Sequence, residues 1–123
     1  MKIIYASTKT ESQCTDLKAA TKLFGGDKNK AVKLMSRIYA IENAVVIKDI
    51  IMMREFNFHK LSNKNGKNLE GYFAIDVKSR KDPWRIILEP LDDEEKPFIP
   101  CNIDEISTKV RIVCITEVSN HYE

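Results

Sequence analysis

The sequence has few cysteines: Cys14, Cys101 and Cys114, an odd number with no close pair among them. Without a CxxC or a Cys/His cluster there is no ligand set for structural zinc, and three free thiols suit a reducing cytoplasm. Long apolar runs are missing too. The longest, Ala44–Ile47 and Ile50–Met53 among them, hold four residues each, far short of the roughly 18 that suggest a membrane span. The opening MKIIYASTK returns to polar residues after four apolar ones, too soon for a secretory leader. There are no clustered carboxylates of the kind a two-metal nuclease needs, and no GxSxG for Ser/His/Asp hydrolysis. Internal repeats and low-complexity segments are likewise missing. A soluble, cytoplasmic protein with no metal and no cofactor is expected.

What is present fits one domain spanning residues 1–123, since this length supports one real core but not two. The 20 basic and 18 acidic side chains nearly cancel, but they are unevenly placed. Residues 54–85 carry eight basic side chains against four acidic ones, whereas residues 89–105 carry seven acidic ones and a single lysine, Lys96. Such local polarity bears on partners more than the total does.

Periodicity gives the elements. Residues 2–6 fit a short strand. Cys14, Leu17, Ala20 and Phe24 recur at helical spacing and end at Gly25-Gly26; Asp27 can cap a second helix with the stripe Ala31, Leu34, Met35, Ile38 and Ile41, its opposite side carrying Lys33 and Arg37. A short helical turn is expected near Lys48–Met52. Phe56, Phe58 and Lys60 alternate with Asn57, His59 and Leu61, which predicts a strand with His59 facing away from the phenylalanines. After the polar loop SNKNGKNLEG, strands are expected at 72–78, 84–89 and 110–118, the first two joined by a tight SRKDP turn. In the last strand Ile112, Cys114 and Val118 fall on one face, Val113 and Ile115 on the other. Segment 90–108 reads as an ordered surface excursion. The sum is an α+β fold, with two N-terminal helices packed on a small, mainly antiparallel sheet.

Four features carry candidate chemistry. His59 follows an aromatic residue and precedes Lys60. The loop after it adds Lys64 and Lys67. Arg85 sits in a strand of large apolar residues, where a guanidinium must pair with a carboxylate such as Asp76 or Glu89, snorkel, or clamp a phosphate. Asn120, His121 and Tyr122 end the last strand. Two imidazoles at strand ends, with cations nearby, make a plausible set for RNA cleavage, because the 2′-OH is a built-in nucleophile and no metal is required.

The strings FHKLSNKNGKNLEGYFAIDV, WRIILEP and RIVCITEVSNHYE resemble the RelE/ParE toxin superfamily, nearest to its HigB-like killer-protein branch. That branch has a His-x-Leu strand, a Lys- and Gly-containing loop, a Gly-aromatic strand, a Tyr/Trp-Arg-Ile/Leu strand and a terminal Glu-Val-x-Asp-Tyr-His. Upstream, Cys14, Gly26-Asp27-Lys28 and Leu34-Met35-Ser36-Arg37-Ile38 also have counterparts, so the likeness covers nearly the whole chain. It implies a RelE-like fold and the toxin of a type II toxin–antitoxin pair, a ribosome-dependent endoribonuclease that cuts mRNA in the A site, contacting ribosomal RNA. The implied partner is a HigA-like helix-turn-helix antitoxin, with DNA reached only through that complex and no membrane involved. Carried over by position, His59 is a base or phosphate ligand, Arg85 holds the scissile phosphate, and Lys64 or Lys67 is the loop lysine; Lys60, Asn120, Lys33 and Arg37 would add RNA contacts. The tail departs from the branch, with Asn120-His121-Tyr122 in place of Asp-Tyr-His, so either His121 or Tyr122 would serve. On this reading, alanine at Arg85 abolishes activity and spares the fold. The alternatives are a ParE-like toxin that binds gyrase without cleaving RNA, or a degenerate, non-toxic relative that binds antitoxin.

Overall fold

The computed structural model describes residues 1–63, 66 and 68–122; Lys64 and Lys67 lie outside the described residues. The chain is α+β. Strand β1 (Lys2–Tyr5) leads into α1 (Thr8–Thr15), α2 (Leu17–Leu23), α3 (Lys28–Asn43) and α4 (Ile47–Ile51). Strands β2 (His59–Lys60), β3 (Phe73–Asp76) and β4 (Arg85–Leu91), helix α5 (Ile103–Ile106) and strand β5 (Ile112–Ser119) follow. The five-stranded sheet has the order β1-β5-β4-β3-β2. Only β1, beside β5, is parallel to its neighbour.

Where two N-terminal helices are expected, there are three. The first stripe is interrupted at Asp16, whose backbone is extended (φ −119°, ψ 116°) and whose carboxylate caps α2 by accepting from the Lys18 amide at 3.2 Å. An N-cap aspartate satisfies an orphan amide of the new helix and ends the old one. Cys14, Ala20 and Phe24 are buried, whereas Leu17 at the break stays partly exposed. The glycine stop behaves as its sequence suggests: Gly26 N–H donates to Thr21 O and Gly25 N–H to Lys22 O, with Gly25 left-handed at φ +65°, the hydrogen-bond pair of a Schellman cap. Asp27 caps α3 through the Lys30 amide, and Ala31, Leu34, Ile38 and Ile41 are its buried stripe.

These helices cover one face of the sheet, where Phe73, Ile75, Val77, Ile86, Leu88, Val113, Ile115 and Val118 join them in a single core. The opposite face is open and has its own small cluster, Leu61, Ala74 and Ile87, with Leu69, Tyr72 and Tyr122 packed around it. The strand expected from Phe56 to Leu61 shrinks to His59–Lys60, because Arg54–Phe56 forms a 3₁₀ turn and Asn57 turns left-handed after it. Segment 90–108 begins as the end of β4 and later forms α5, and its Phe98, Cys101, Ile103 and Ile106 pack on the core.

A bulge in β5 decides what the open face carries. Ile87 pairs with Glu117 but Leu88 pairs with Ile115, so Thr116 is an extra residue. One inserted residue reverses the alternation beyond it. Val118 therefore joins Val113 and Ile115 in the core rather than Ile112 and Cys114, and Glu117 turns to the open face. The bulge is fastened on both sides: Thr116 Oγ1 donates to Ile87 O at 3.2 Å, and Thr116 O accepts from buried Thr10 Oγ1 at 3.3 Å. Among the described residues no helix is long and apolar enough to cross a membrane.

Candidate functional site

The pairing His59↔Ala74↔Ile87↔Glu117 runs across four strands, so these residues face one side together. The next row, Asp76↔Arg85↔Ser119, lies on the same side. Three strand spacings put the Cα atoms of His59 and Glu117 about 14 Å apart. That is too far for a shared proton but right for groups acting on opposite sides of a substrate. Tyr122 fills the space between: it packs against Leu61, Ala74 and Ile87, with its phenol beside Glu117. Interaction with the Glu117 carboxylate first, and partial burial after it, push the phenol up to about 12. Tyr122 is thus a protonated donor at neutral pH and cannot act as a base there. An open cleft of about 450 Å³ lies beside it, bounded by Asn68, Leu69, Tyr72, Ile87, Glu117 and Tyr122.

At the far edge of the face, His59 Nδ1 is 2.7 Å from Asn57 O. Lys60 follows it, exposed, on the rim of a depression formed with Leu61, Ser62, Asn63 and Glu70. Beyond the last strand His121 and Asn120 are exposed, the His121 amide donating to Ser119 Oγ at 3.1 Å. Of the two tail candidates, Tyr122 is the one seated on the open face.

Arg85 shares this face but is not offered to a substrate. The residue is 5% exposed and its guanidinium is ion-paired with Asp76 Oδ1 (Nε to oxygen, 3.2 Å). That contact is one of charge at an angle too poor for a hydrogen bond, so Nε–H itself is unsatisfied. The terminal nitrogens donate instead to four carbonyls of the β3–β4 turn, those of Ser79, Arg80, Asp82 and Trp84. Buried, bonded to the turn through both terminal nitrogens and facing Asp76 with Nε, this guanidinium is not presented to a phosphate from the open face. Where the resemblance implies a phosphate clamp, the Arg85 side chain is held within the β3–β4 hairpin. Arg37 is committed in the same way, stacked on Phe56 at 4.4 Å from the ring centroid and donating to Asp76 O and Glu55 O. Arg37 and exposed Lys33 belong to α3 in the helical layer, so the structure does not bring them to the open face.

Glu117, Tyr72 and Asn57 enter the site although their sequence positions do not single them out. The signal for Glu117 is a carboxylate inside an apolar strand, hidden because strict alternation points it at the core. Cysteine chemistry is not supported, since burial pushes the Cys14 thiol up to about 12 and also raises Cys101 and Cys114, and the thiolate is the reactive form. Among the described residues, no group of three or more His, Cys, Asp and Glu side chains could hold a metal ion. Compared with known proteins, the chain matches no family model, and no curated protein matches it.

Proposed function

We propose that this chain is a metal-independent endoribonuclease, the HigB-like toxin of a type II toxin–antitoxin pair in the RelE/ParE superfamily, cutting mRNA on the ribosome. The observation that carries the reading is the convergence on one open face of the His59 imidazole and the Tyr122–Glu117 pair, either side of an apolar floor made by Ala74 and Ile87. A nucleotide lying across that floor would have its ribose by His59 and its leaving oxygen by Tyr122. His59 takes the proton from the 2′-OH, the 2′-oxygen bonds to phosphorus, and the P–O5′ bond breaks with a 2′,3′-cyclic phosphate left behind. The Tyr122 phenol, more acidic than a ribose hydroxyl, delivers its proton to the departing 5′-oxygen. Glu117 orients the phenol. Since Arg85 is occupied, positive charge for the phosphate falls to Lys60 and to Lys64 and Lys67. The expected antitoxin is a helix-turn-helix protein, which alone would bring the pair to DNA.

One observation favours a second reading. The enclosed Arg85 removes a phosphate ligand, as suits a ParE-like toxin that binds gyrase or a non-toxic antitoxin-binding relative. Mapping mRNA ends after induction separates the readings. Codon-phased cuts with 5′-hydroxyl ends, reduced about 10²–10⁴-fold by His59→Gln at unchanged melting temperature, support cleavage; DNA damage or unaltered growth, without cuts, rejects it.

A further inference from the structure

Asn57 stands in the left-handed region (φ 48°, ψ 50°) at the end of the 3₁₀ turn, its N–H donating to Arg54 O at 3.0 Å. For a residue other than glycine this conformation is costly, and asparagine is among the few that adopt it routinely. The side chain is held at both ends. Nδ2 donates to Asp76 Oδ1 at 3.4 Å, and Oδ1 accepts from Arg80 Nη2 at 3.3 Å. Only this orientation of the amide satisfies both a carboxylate and a guanidinium, so the assignment of its oxygen and nitrogen is secure. Asp76 is itself fixed, 1% exposed, ion-paired to Arg85, with its carbonyl accepting from Arg37 Nε at 3.0 Å. This chain of contacts ends at the Asn57 carbonyl, 2.7 Å from His59 Nδ1. A carbonyl can only accept, so the neutral imidazole carries its proton on Nδ1 and leaves Nε2 as the basic nitrogen.

We propose that Asn57 is a positioning residue that sets His59 as the Nδ1–H tautomer, presenting Nε2 as the base; its catalytic consequence rests on the reading of His59 given above. A free imidazole prefers the opposite tautomer, with the proton on Nε2, so the arrangement is measurable without any substrate. Nitrogen-15 NMR of histidine-labelled protein, read on the neutral imidazole, reports which nitrogen is protonated. The chain has two histidines, and His121→Gln assigns them. His59 is expected as Nδ1–H, with exposed His121 mainly Nε2–H as the internal comparison. In Asn57→Gly, which keeps the left-handed backbone without strain but loses the side-chain anchors, His59 should become a mixture shifted toward Nε2–H, and kcat should fall about 10²-fold with KM unchanged. A wild-type His59 protonated on Nε2, or an Asn57→Gly protein whose His59 stays wholly Nδ1–H, overturns the proposal. The wild-type spectrum decides even if the variant does not fold. If the wild type cleaves no RNA, the nuclease reading falls while the tautomer assignment is still judged by the spectrum alone.

Discussion

On the helix-covered face Phe73, Ile75, Ile86, Leu88 and Ile115 are each at most 1% exposed, and all belong to one apolar cluster shared with four helices. On the open face the apolar cluster holds three buried residues, Leu61, Ala74 and Ile87, and around it stand a histidine, two tyrosines, a glutamate and a buried ion pair. The first face is a continuous area removed from water, worth on the order of 25 cal/mol per Å², and it needs nothing but apolar side chains of suitable size. The second spends its small apolar floor on holding polar groups in relation to one another. The comparison teaches that the covered face holds the fold together while the open face owes its content to two local irregularities: the bulge at Thr116 and the left-handed residue Asn57. Each reverses or bends the chain just before a polar residue of the open face, Glu117 in one case and His59 in the other.

The sharpest way to break that distinction is to exchange two neighbours, Glu117→Val with Val118→Glu. The bulge at Thr116 keeps residue 118 in the core, so the exchanged glutamate is driven toward the helices, whereas strict alternation would leave it on the open face. An unpaired carboxylate in an apolar core costs several kcal/mol, a large share of the roughly 5–15 kcal/mol that holds a domain together. Urea denaturation should show the cooperative transition lost or its midpoint greatly lowered. An exchanged variant of native stability would mean that β5 tolerates either alternation, and the account of the open face would fail with it.

Arg85→Ala comes next in size and tests where the Asp76–Arg85 pair belongs. If the pair is part of the fold, removing the cation strands a carboxylate that is 1% exposed and leaves four turn carbonyls without their donor. Breaking a buried pair from one side typically costs about 3–5 kcal/mol, here a fall in melting temperature of roughly 10–20 °C. A variant with unchanged melting temperature and no activity would return Arg85 to the substrate.

How much of this was legible beforehand follows the same division. The caps Asp27 and Gly25, the α3 stripe, and the inward set Phe73, Ile75, Val77, Trp84, Ile86 and Leu88 are local patterns, each readable within a few residues of sequence. His59 opposite the aromatic face was readable for the same reason. The sequence left Arg85 open between a salt bridge and a phosphate clamp; choosing needs the carbonyls of residues 79–84 turned back on it, a geometry no spacing encodes. Glu117 was hidden by the rule that located its neighbours, because a bulge in β5 shows only when β4 is laid beside it. The break at Asp16 is masked by the apolar spacing on either side, which makes one helix of Cys14 to Phe24 although an aspartate has the chemistry of a cap.

The finest comparison is between Tyr122 with and without its hydroxyl. In the folded chain this phenol is held up to about 12, chiefly by its interaction with Glu117, against about 10 for a tyrosine in an unfolded chain. The folded state keeps the proton longer, so the stabilisation is complete below pH 10 and is lost as pH climbs through about 12. Tyr5 and Tyr72 are also raised, by burial first, and contribute with the same sign, so only the difference between wild type and Tyr122→Phe isolates the pair. That difference in stability should be constant below pH 10 and shrink above it, and Glu117→Gln should shrink it likewise. Parallel curves over the whole range would show that the phenol does not interact with Glu117. RNA cleavage read in the same variants then shows whether that proton matters: the phenylalanine variant keeps the ring on its apolar floor, so a loss of rate with RNA binding unchanged assigns the loss to the hydroxyl.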